Sequence, residues 1–520
     1  MLNRSILSKI ASLIFVFALI NACGTNPVTG KRELQLLPES QEISIGQENY
    51  LATQQSQGGS YVTDIALSHY VNSVGQKLAA ASDRPGLPYE FVVLNNPVPN
   101  AWALPGGKIA VNRGLLLELN NEAELAAVLG HEIVHAAARH GAKSVERGML
   151  LNVGMVGLGI ATSDSDNAEL IVGAAALGGQ LISQKYGRDA ELESDLYGMK
   201  YMAKAGYDPA AAIKLQETFV RLSEGKQSNW LEGLFASHPP SQERVDANKT
   251  TARQLNSKGI SNEDLYQQKI ALLKKTKPAY DQFEQAKTAV KDNKPQQAMT
   301  LIDSALKIEP KEGLFYALKG DIHFYEKQYD TAETLFTTAI KYNPEFFLFY
   351  LERGLTYGKL NQDLKAKQDL QKSIALLPTA PAYQALGGIA EKENDLKAAK
   401  EYYGKAAGSK SAAGQQSALS YTRLDLPANP ARYIAYQGTA DRAGNVIIEL
   451  KNRSLVPVKN LQLTVNLYAE SGSRIFHKDY QLTETVKPGA QLSVNTGVPA
   501  NSLGKSGKVE VRFNSAQIVE

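Results

Sequence analysis

The sequence predicts a multidomain chain: an α+β domain over 23–255, an α-solenoid over 268–412, and an all-β, sandwich-like domain over 430–520. Three observations predict this. From about residue 35 to 255, amphipathic helical stretches alternate with short strands. In the middle region, small residues recur at a fixed spacing. From Asn445 onward, β-branched and alternating runs are separated by turn signals.

A chain of 520 residues has room for three or so domains of roughly 100–200 residues each. Its 43% hydrophobic content suits globular domains with real cores. The net charge of +3 and the absence of a long basic stripe argue against a nucleic-acid partner.

At the N-terminus, Arg4 and Lys9 flank an apolar run, Leu13 to Ile20, that is too short to serve as a permanent membrane span. The run ends in Ile20-Asn21-Ala22-Cys23, and Cys23 is the only cysteine. A small residue before a lone cysteine resembles the lipobox of bacterial lipoproteins. That resemblance implies a signal peptide over 1–22, cleavage before Cys23 and lipidation of its thiol. An exported chain with no spare thiol forms no wrong disulfide. Gly24 stands where an inner-membrane retention signal usually shows Asp, which favours the periplasmic, inner leaflet of the outer membrane. Each buried CH₂ of the anchor contributes about 0.8 kcal/mol.

In the first domain, His131-Glu132-Ile133-Val134-His135 is an H-E-x-x-H motif. It lies in a helical stretch beginning near Asn121, rich in strong helix formers such as Glu122, Ala123, Leu125 and Ala126. Residues four apart share a helix face, so His131 and His135 can meet one tetrahedral zinc. Glu132 can reach the attacking water without ligating the metal, as a general base does. A third ligand is expected on a separate helix. Arg188-Asp189-Ala190-Glu191-Leu192-Glu193-Ser194-Asp195 offers Glu191 and Asp195, four apart, of which one can ligate while the other orients a ligating histidine. Glu193 is the rival, about 200° from Glu191 around the helix. Glu191 is favoured because only it has an acidic partner one turn on.

His140 falls nine positions after His131, on the far side of a continuous helix. With Gly141 ending that helix, Arg139-His140-Gly141 reads as capping or packing. His238, in Ser237-His238-Pro239-Pro240, is fixed by two prolines and could reach the metal or hydrogen-bond a reaction intermediate. Arg244, six residues on, is a candidate partner for a carboxylate or an oxyanion. Leu104-Pro105-Gly106-Gly107 reads as a turn leading into the strand Lys108 to Val111, and an edge strand beside the metal could bind substrate by strand addition. The Gly/Ala-rich runs Gly148 to Ile160 and Leu170 to Ile182, split by the polar stretch Ser163 to Asn167, read as buried helices around the site or as a lid, with a membrane-touching role also open.

The second domain is an internal repeat. Ala286, Gly320, Gly354 and Gly387 stand 34, 34 and 33 apart, each followed twelve positions on by Ala298, Ala332, Ala366 and Ala399. Pro310, Pro344 and Pro378 recur at the same period. Small residues let the two helices of a hairpin approach, and proline closes each unit. The spacing resembles tetratricopeptide repeats, about three and a half to four of them, whose arrays present a concave surface to partner proteins. In the third domain, Val446 to Leu450, Leu461 to Leu467 and Val509 to Phe513 read as strands, consistent with a sandwich that serves as an interaction or spacer module.

Taken together, Asn26-Pro27-Val28-Thr29-Gly30, Asn100 to Gly107, HEIVH, the Glu191/Asp195 pair and Ser237-His238-Pro239 resemble the HtpX and BepA-type zinc metallopeptidases, relatives of the CAAX prenyl proteases. The resemblance covers about residues 26–250 and implies a zincin-like fold. It implies Glu191 as third ligand, Asp195 as the partner of His131, and His238 as a metal-proximal residue that restrains activity. The lipoprotein signal and the repeats resemble the periplasmic BepA-type members, from which the β domain after Asn445 departs.

The expected function is therefore a zinc-dependent endopeptidase of the bacterial envelope, with one Zn²⁺ per chain. It would degrade misfolded outer-membrane or periplasmic proteins or assist their assembly, and the repeats would engage the assembly machinery. The alternative is a chaperone-like repeat scaffold whose protease activity is latent.

Overall fold

The structure, a computed structural model, describes residues 23–152, 175–182, 185–224 and 237–519. The signal segment 1–22, the polar stretch Ser163 to Asn167 and parts of both Gly/Ala-rich runs lie outside the described residues. The chain divides into two compact units, Met1–Pro378 and Thr379–Glu520.

The first unit opens with β1 (Cys23–Thr25) paired antiparallel to β2 (Arg32–Leu34). Asn26 closes their turn: its Oδ1 accepts from the N–H groups of Val28 at 2.9 Å and Thr29 at 3.2 Å. Two helices follow, α1 (Glu39–Ser56) and α2 (Ile65–Ala80). A three-stranded sheet comes next, made of β3 (Glu90–Leu94), β4 (Ala101–Leu104) and β5 (Lys108–Asn112). Its order is β3-β5-β4, with β3 parallel and β4 antiparallel to β5. Gly106 and Gly107, at φ 77° and 87°, make the β4–β5 turn that the sequence signals. The strand read from Lys108 to Val111 is central, however, because β3 pairs with its other side. The edge beside the site is β4.

After the short α3 (Arg113–Glu118) comes α4 (Glu122–Ala137), buried along its whole length. Asn121 caps α4 by accepting the N–H of Glu124 at 2.9 Å. The helix ends earlier than expected. Arg139 takes φ 63°, and α5 (His140–Asn152) starts in a new direction, so Gly141 sits inside a helix and ends none. The buried Arg139 guanidinium fixes this break, with Nε donating to Glu42 Oε2 at 3.0 Å and Nη2 to Leu37 O at 2.5 Å.

The described end of the second apolar run is α6 (Ala175–Ile182), whose Leu181 and Ile182 join Tyr50 and Trp102 in a small core. No described helix is long and apolar enough to cross a membrane. Then come α7 (Arg188–Lys204), α8 (Ala211–Glu224) and α9 (Gln242–Leu255). The crossing of α4 and α7 is set by two glycines. A Cβ on Gly130 would lie 3.2 Å from Gly198 O, and one on Gly198 would lie 3.0 Å from His131 N. The two backbones therefore touch where the chemistry is carried.

Seven further helices complete the first unit: α10 (Glu263–Lys269), α11 (Ala271–Lys291), α12 (Pro295–Ile308), α13 (Gly313–Tyr325), α14 (Tyr329–Tyr342), α15 (Phe347–Lys359) and α16 (Asp363–Leu376). They form the repeat hairpins. Here the recurring small residue receives a large side chain: Gly320 sits under Phe336, and Gly354 under Leu370.

The first repeats share one hydrophobic core with the preceding domain, in which Tyr266, Leu273, Tyr280 and Phe315 join Leu67, Tyr70 and Leu129. Polar bonds reinforce the join. Tyr266 OH donates to Leu116 O at 2.6 Å, and buried Glu312 accepts from Tyr280 OH at 2.5 Å and Asn95 Nδ2 at 3.0 Å. Gln55 bonds the chain just before α15 twice, donating to Glu345 O at 2.7 Å and accepting from Phe347 N at 2.8 Å.

The second unit begins with α17 (Ala380–Lys392), α18 (Leu396–Ala406) and α19 (Ala412–Asp425), with Gly387 under Tyr403. Six strands follow: β6 (Ile434–Ala440), β7 (Asn445–Asn452), β8 (Val458–Tyr468), β9 (Arg474–Leu482), β10 (Gln491–Pro499) and β11 (Lys508–Ile518). They make two three-stranded antiparallel sheets, β10-β7-β6 and β11-β8-β9. Val446, Ile448 and Leu450 of β7 alternate inward, as do Leu461, Leu463, Val465 and Leu467 of β8, and both sets fill one core.

Candidate metal centre

The α4–α7 crossing brings His131, Glu132 and His135 against Glu191 and Asp195. The loop before α9 adds His238, and α9 adds Arg244. Ser241 caps α9 by accepting the N–H of Arg244 at 3.2 Å, which fixes where that guanidinium starts. All seven side chains are buried.

His131 Nδ1 lies 2.8 Å from Asp195 Oδ1, so its Nδ1–H donates there, and in the neutral, metal-binding form of the ring Nε2 is a bare lone pair. His135 Nδ1 lies 2.9 Å from His140 Nδ1, and His140 Nε2 lies 3.4 Å from Glu193 Oε1. One proton on each ring satisfies that chain and leaves His135 Nε2 bare as well. The two bare Nε2 atoms are 3.0 Å apart. Glu191 oxygens lie 3.5 Å from His131 Nε2 and 3.4 Å from His135 Nε2. Imidazole nitrogens and a carboxylate that converge in a buried space are the donor set a zinc site uses. Donor atoms of His131, His135, Glu191 and His238 all lie within 4.8 Å of one another, so these four residues could hold a metal ion. Glu132 Oε2 is buried without a hydrogen-bond partner among the described residues, which suits a group kept for a bound molecule.

Arg244 supplies the fixed positive charge. Its Nε and Nη2 grip both oxygens of Asp195 at 2.7 Å, and its Nη1 stands 2.8 Å from Glu191 Oε2. Burial works against both carboxylates, but the neighbouring cations win. His238 and His131 hold Glu191 well below the ordinary range, and Arg244 holds Asp195 low. Burial also works against a charged His131, yet Glu191 and Asp195 outweigh it and push the imidazole up to about 10. Without a metal that field keeps a proton on His131 Nε2, facing Glu191 and His135 Nε2, and a bound cation would take the place of that proton. His135 is driven well below its usual value by burial, and burial raises Glu132 despite His238 and His131.

Glu193 points away from the cluster, toward His140 and Asn26, the latter at 3.5 Å. Its role is to tie the N-terminal turn and His140 to α7. His238 Nδ1 is 3.0 Å from Glu191 Oε1 and 3.3 Å from His131 Nε2, and its Nε2 is 3.6 Å from Glu132 Oε1.

Two contacts were not foreseen from the sequence. His140 returns to His135 because the helix breaks at Arg139, so the opposite-face argument does not apply. Tyr186 stacks on His135, with ring centroids 4.0 Å apart and planes at 26°, and its N–H donates to Ser237 O at 3.4 Å, beside His238. A tyrosine two residues before the helix that carries Glu191 was the only available signal.

The profile of Peptidase family M48 matches residues 66–252, and that of the tetratricopeptide repeat matches 315–346 and 380–412. The beta-barrel assembly-enhancing protease of Escherichia coli (strain K12) is 28% identical over 266 residues, 49% of this chain and 53% of that protein. Mitochondrial metalloendopeptidase OMA1 of Arabidopsis thaliana is 34% identical over 166 residues, 32% of each chain. OMA1 of Schizosaccharomyces pombe (strain 972) is 34% identical over 187 residues, 34% of this chain and 50% of that protein. The chain thus spans about half the length of the beta-barrel assembly-enhancing protease it matches. Motif, geometry and matches agree: the chain carries a Peptidase family M48 domain followed by tetratricopeptide repeats.

Proposed function

We propose that the chain is a zinc-dependent endopeptidase of the bacterial envelope, lipid-anchored through Cys23 to the inner leaflet of the outer membrane. It acts on misfolded outer-membrane or periplasmic proteins, with the repeats engaging clients or the assembly machinery. One observation carries the catalytic reading: two imidazole Nε2 atoms and a Glu191 oxygen converge beside Oε2 of Glu132, which has no hydrogen-bond partner among the described residues. The lipobox-like segment ending at Cys23 and the similarity to a beta-barrel assembly-enhancing protease support the envelope setting.

His131, His135 and Glu191 would hold one Zn²⁺. Bound there, zinc supplies Lewis acidity toward a peptide carbonyl and brings the pKa of water toward roughly 7. Glu132 takes the proton of the attacking water and passes it to the leaving amine. Asp195 keeps the proton of His131 on Nδ1, and Arg244 holds Asp195 and Glu191 ionised in place. β4, at the edge of its sheet beside the cluster, is the strand an extended substrate would pair with.

His238 adds a fourth donor within the ligand cluster, so it fills the place a water needs and keeps the enzyme latent until its loop moves. This geometry also favours the second reading, a repeat scaffold with silent chemistry. Zinc content and cleavage of casein or an unfolded outer-membrane protein test both. Wild type, Glu132→Gln and His238→Ala should each hold one zinc. Glu132→Gln should cleave about 10²–10⁴-fold more slowly, and His238→Ala faster than wild type. Equal rates for wild type and Glu132→Gln would leave the scaffold reading. A slower His238→Ala would reassign His238 to transition-state stabilisation.

A further inference from the structure

Beside the metal centre lies a cavity of about 510 Å³, its mouth included, bounded at one end by His131, Glu132 and His238. Its walls come from Val128 of α4, Met199 and Met202 of α7, and Leu215 and Phe219 of α8. Ala212, Leu215, Gln216 and Phe219 recur at helical spacing, so one face of α8 forms this wall. On that apolar face Gln216 is the exception, 5% exposed, with Oε1 accepting no hydrogen bond among the described residues. From α9, Asn248 reaches the same cavity, 1% exposed, with Nδ2 donating none among them.

Two unmet amide groups in an apolar wall are a liability to folding unless something else meets them. They differ in kind: Gln216 Oε1 needs a donor and Asn248 Nδ2 needs an acceptor. A carboxylate cannot donate to the first, and an ammonium cannot accept from the second. An aliphatic side chain satisfies neither. A side-chain amide brings two N–H donors and leaves one over. A hydroxyl donates once and accepts once, and so meets both. The short hydroxyl side chains of serine and threonine leave Val128, Met202 and Phe219 uncovered, whereas a phenol covers them with its ring.

We propose that this cavity is a specificity pocket that selects tyrosine in the substrate, with Gln216 and Asn248 reading the phenol hydroxyl. The proposal rests on the peptidase reading, and it concerns positions adjacent to the bond being cut.

The test compares tyrosine with phenylalanine in the full, zinc-loaded chain. In digests of an unfolded protein mapped by mass spectrometry, tyrosine should exceed phenylalanine about tenfold at one position next to the cleaved bond. Asn248→Leu and Gln216→Leu should each bring that ratio to about one. Because each leucine removes an unmet polar group, neither variant should melt below wild type. A structural role for the amides predicts the reverse, a lower melting point with the ratio unchanged.

Binding separates this proposal from the activity. The Glu132→Gln chain should bind Ala-Ala-Tyr-Ala-Ala about tenfold more tightly than Ala-Ala-Phe-Ala-Ala. That preference without any cleavage by wild type would overturn the peptidase and keep the pocket. Cleavage without a tyrosine preference, or a preference untouched by both leucine variants, would overturn the pocket and keep the peptidase.

Discussion

Two pairs of carboxyl groups lie inside the first unit, and they are held in opposite states. Glu191 and Asp195 sit on one helix, one turn apart, and face Arg244 and two histidines. They are held low, as charged groups. Asp321 of α13 and Glu352 of α15 sit on successive repeats and face each other. Burial pushes Asp321 up to about 7 even though it hydrogen-bonds Glu352, and burial together with Asp321 raises Glu352 strongly. The same residue types are therefore held charged in one place and protonated well above their usual range in the other. What decides is whether a cation is built in beside them. The first pair keeps its full negative charge at neutral pH.

The sharpest way to break this contrast is to take away the built-in cation. Arg244→Met should cost about 3–5 kcal/mol of stability, because it strands two buried carboxylates. It should also abolish stoichiometric zinc, and urea denaturation with elemental analysis checks both. Next in size is Asp195→Asn, which leaves Arg244 in place but removes the carboxylate that fixes the His131 proton. Zinc affinity should fall about 10–100-fold with the fold retained, as a chelator competition would measure.

The smallest effect belongs to the repeats. A carboxyl with a raised pKa in the folded state stabilises the fold where it stays protonated. That contribution falls as pH rises from the ordinary carboxyl value of about 4 toward 7. Asp321→Asn should therefore raise the melting temperature at pH 8 by a few degrees and leave it unchanged or lower at pH 4. A gain of equal size at both pH values would show that the pair titrates normally.

How much of this was legible depends on whether the signal was local. His131 and His135 share a face at spacing four, and Glu191 and Asp195 do the same, so each half of the centre could be read from its own helix. The repeats were legible because each contact recurs 34 residues later. The strand alternation of β7 and β8 was plain for the same reason.

Contacts that join distant segments left no such trace. Nothing periodic marks Gly130 and Gly198 as the point where two backbones meet. Arg139 is not a residue that announces a left-handed turn, and without its buried partner Glu42 the helix would be expected to run on past His140. The edge position of β4 depends on β3 pairing with the far side of β5, a parallel join across 18 residues. Gln216 and Asn248 look like ordinary polar positions until α8 and α9 are placed around one cavity.

The core that runs from α2 and α4 into α11 and α13 has a consequence for how such chains diversify. A crossover that joined this peptidase to a foreign set of repeats after Leu255 would part Tyr70 from Tyr266, and Asn95 and Tyr61 from Glu312 and Tyr280. The recombinant would inherit a catalytic helix with water on its far side. Whole repeats can be gained or lost more safely beyond α16, where Gln55 no longer reaches. The first three hairpins are therefore expected to pass between lineages together with the peptidase as one hereditary block, while later repeats and the β domain change partners.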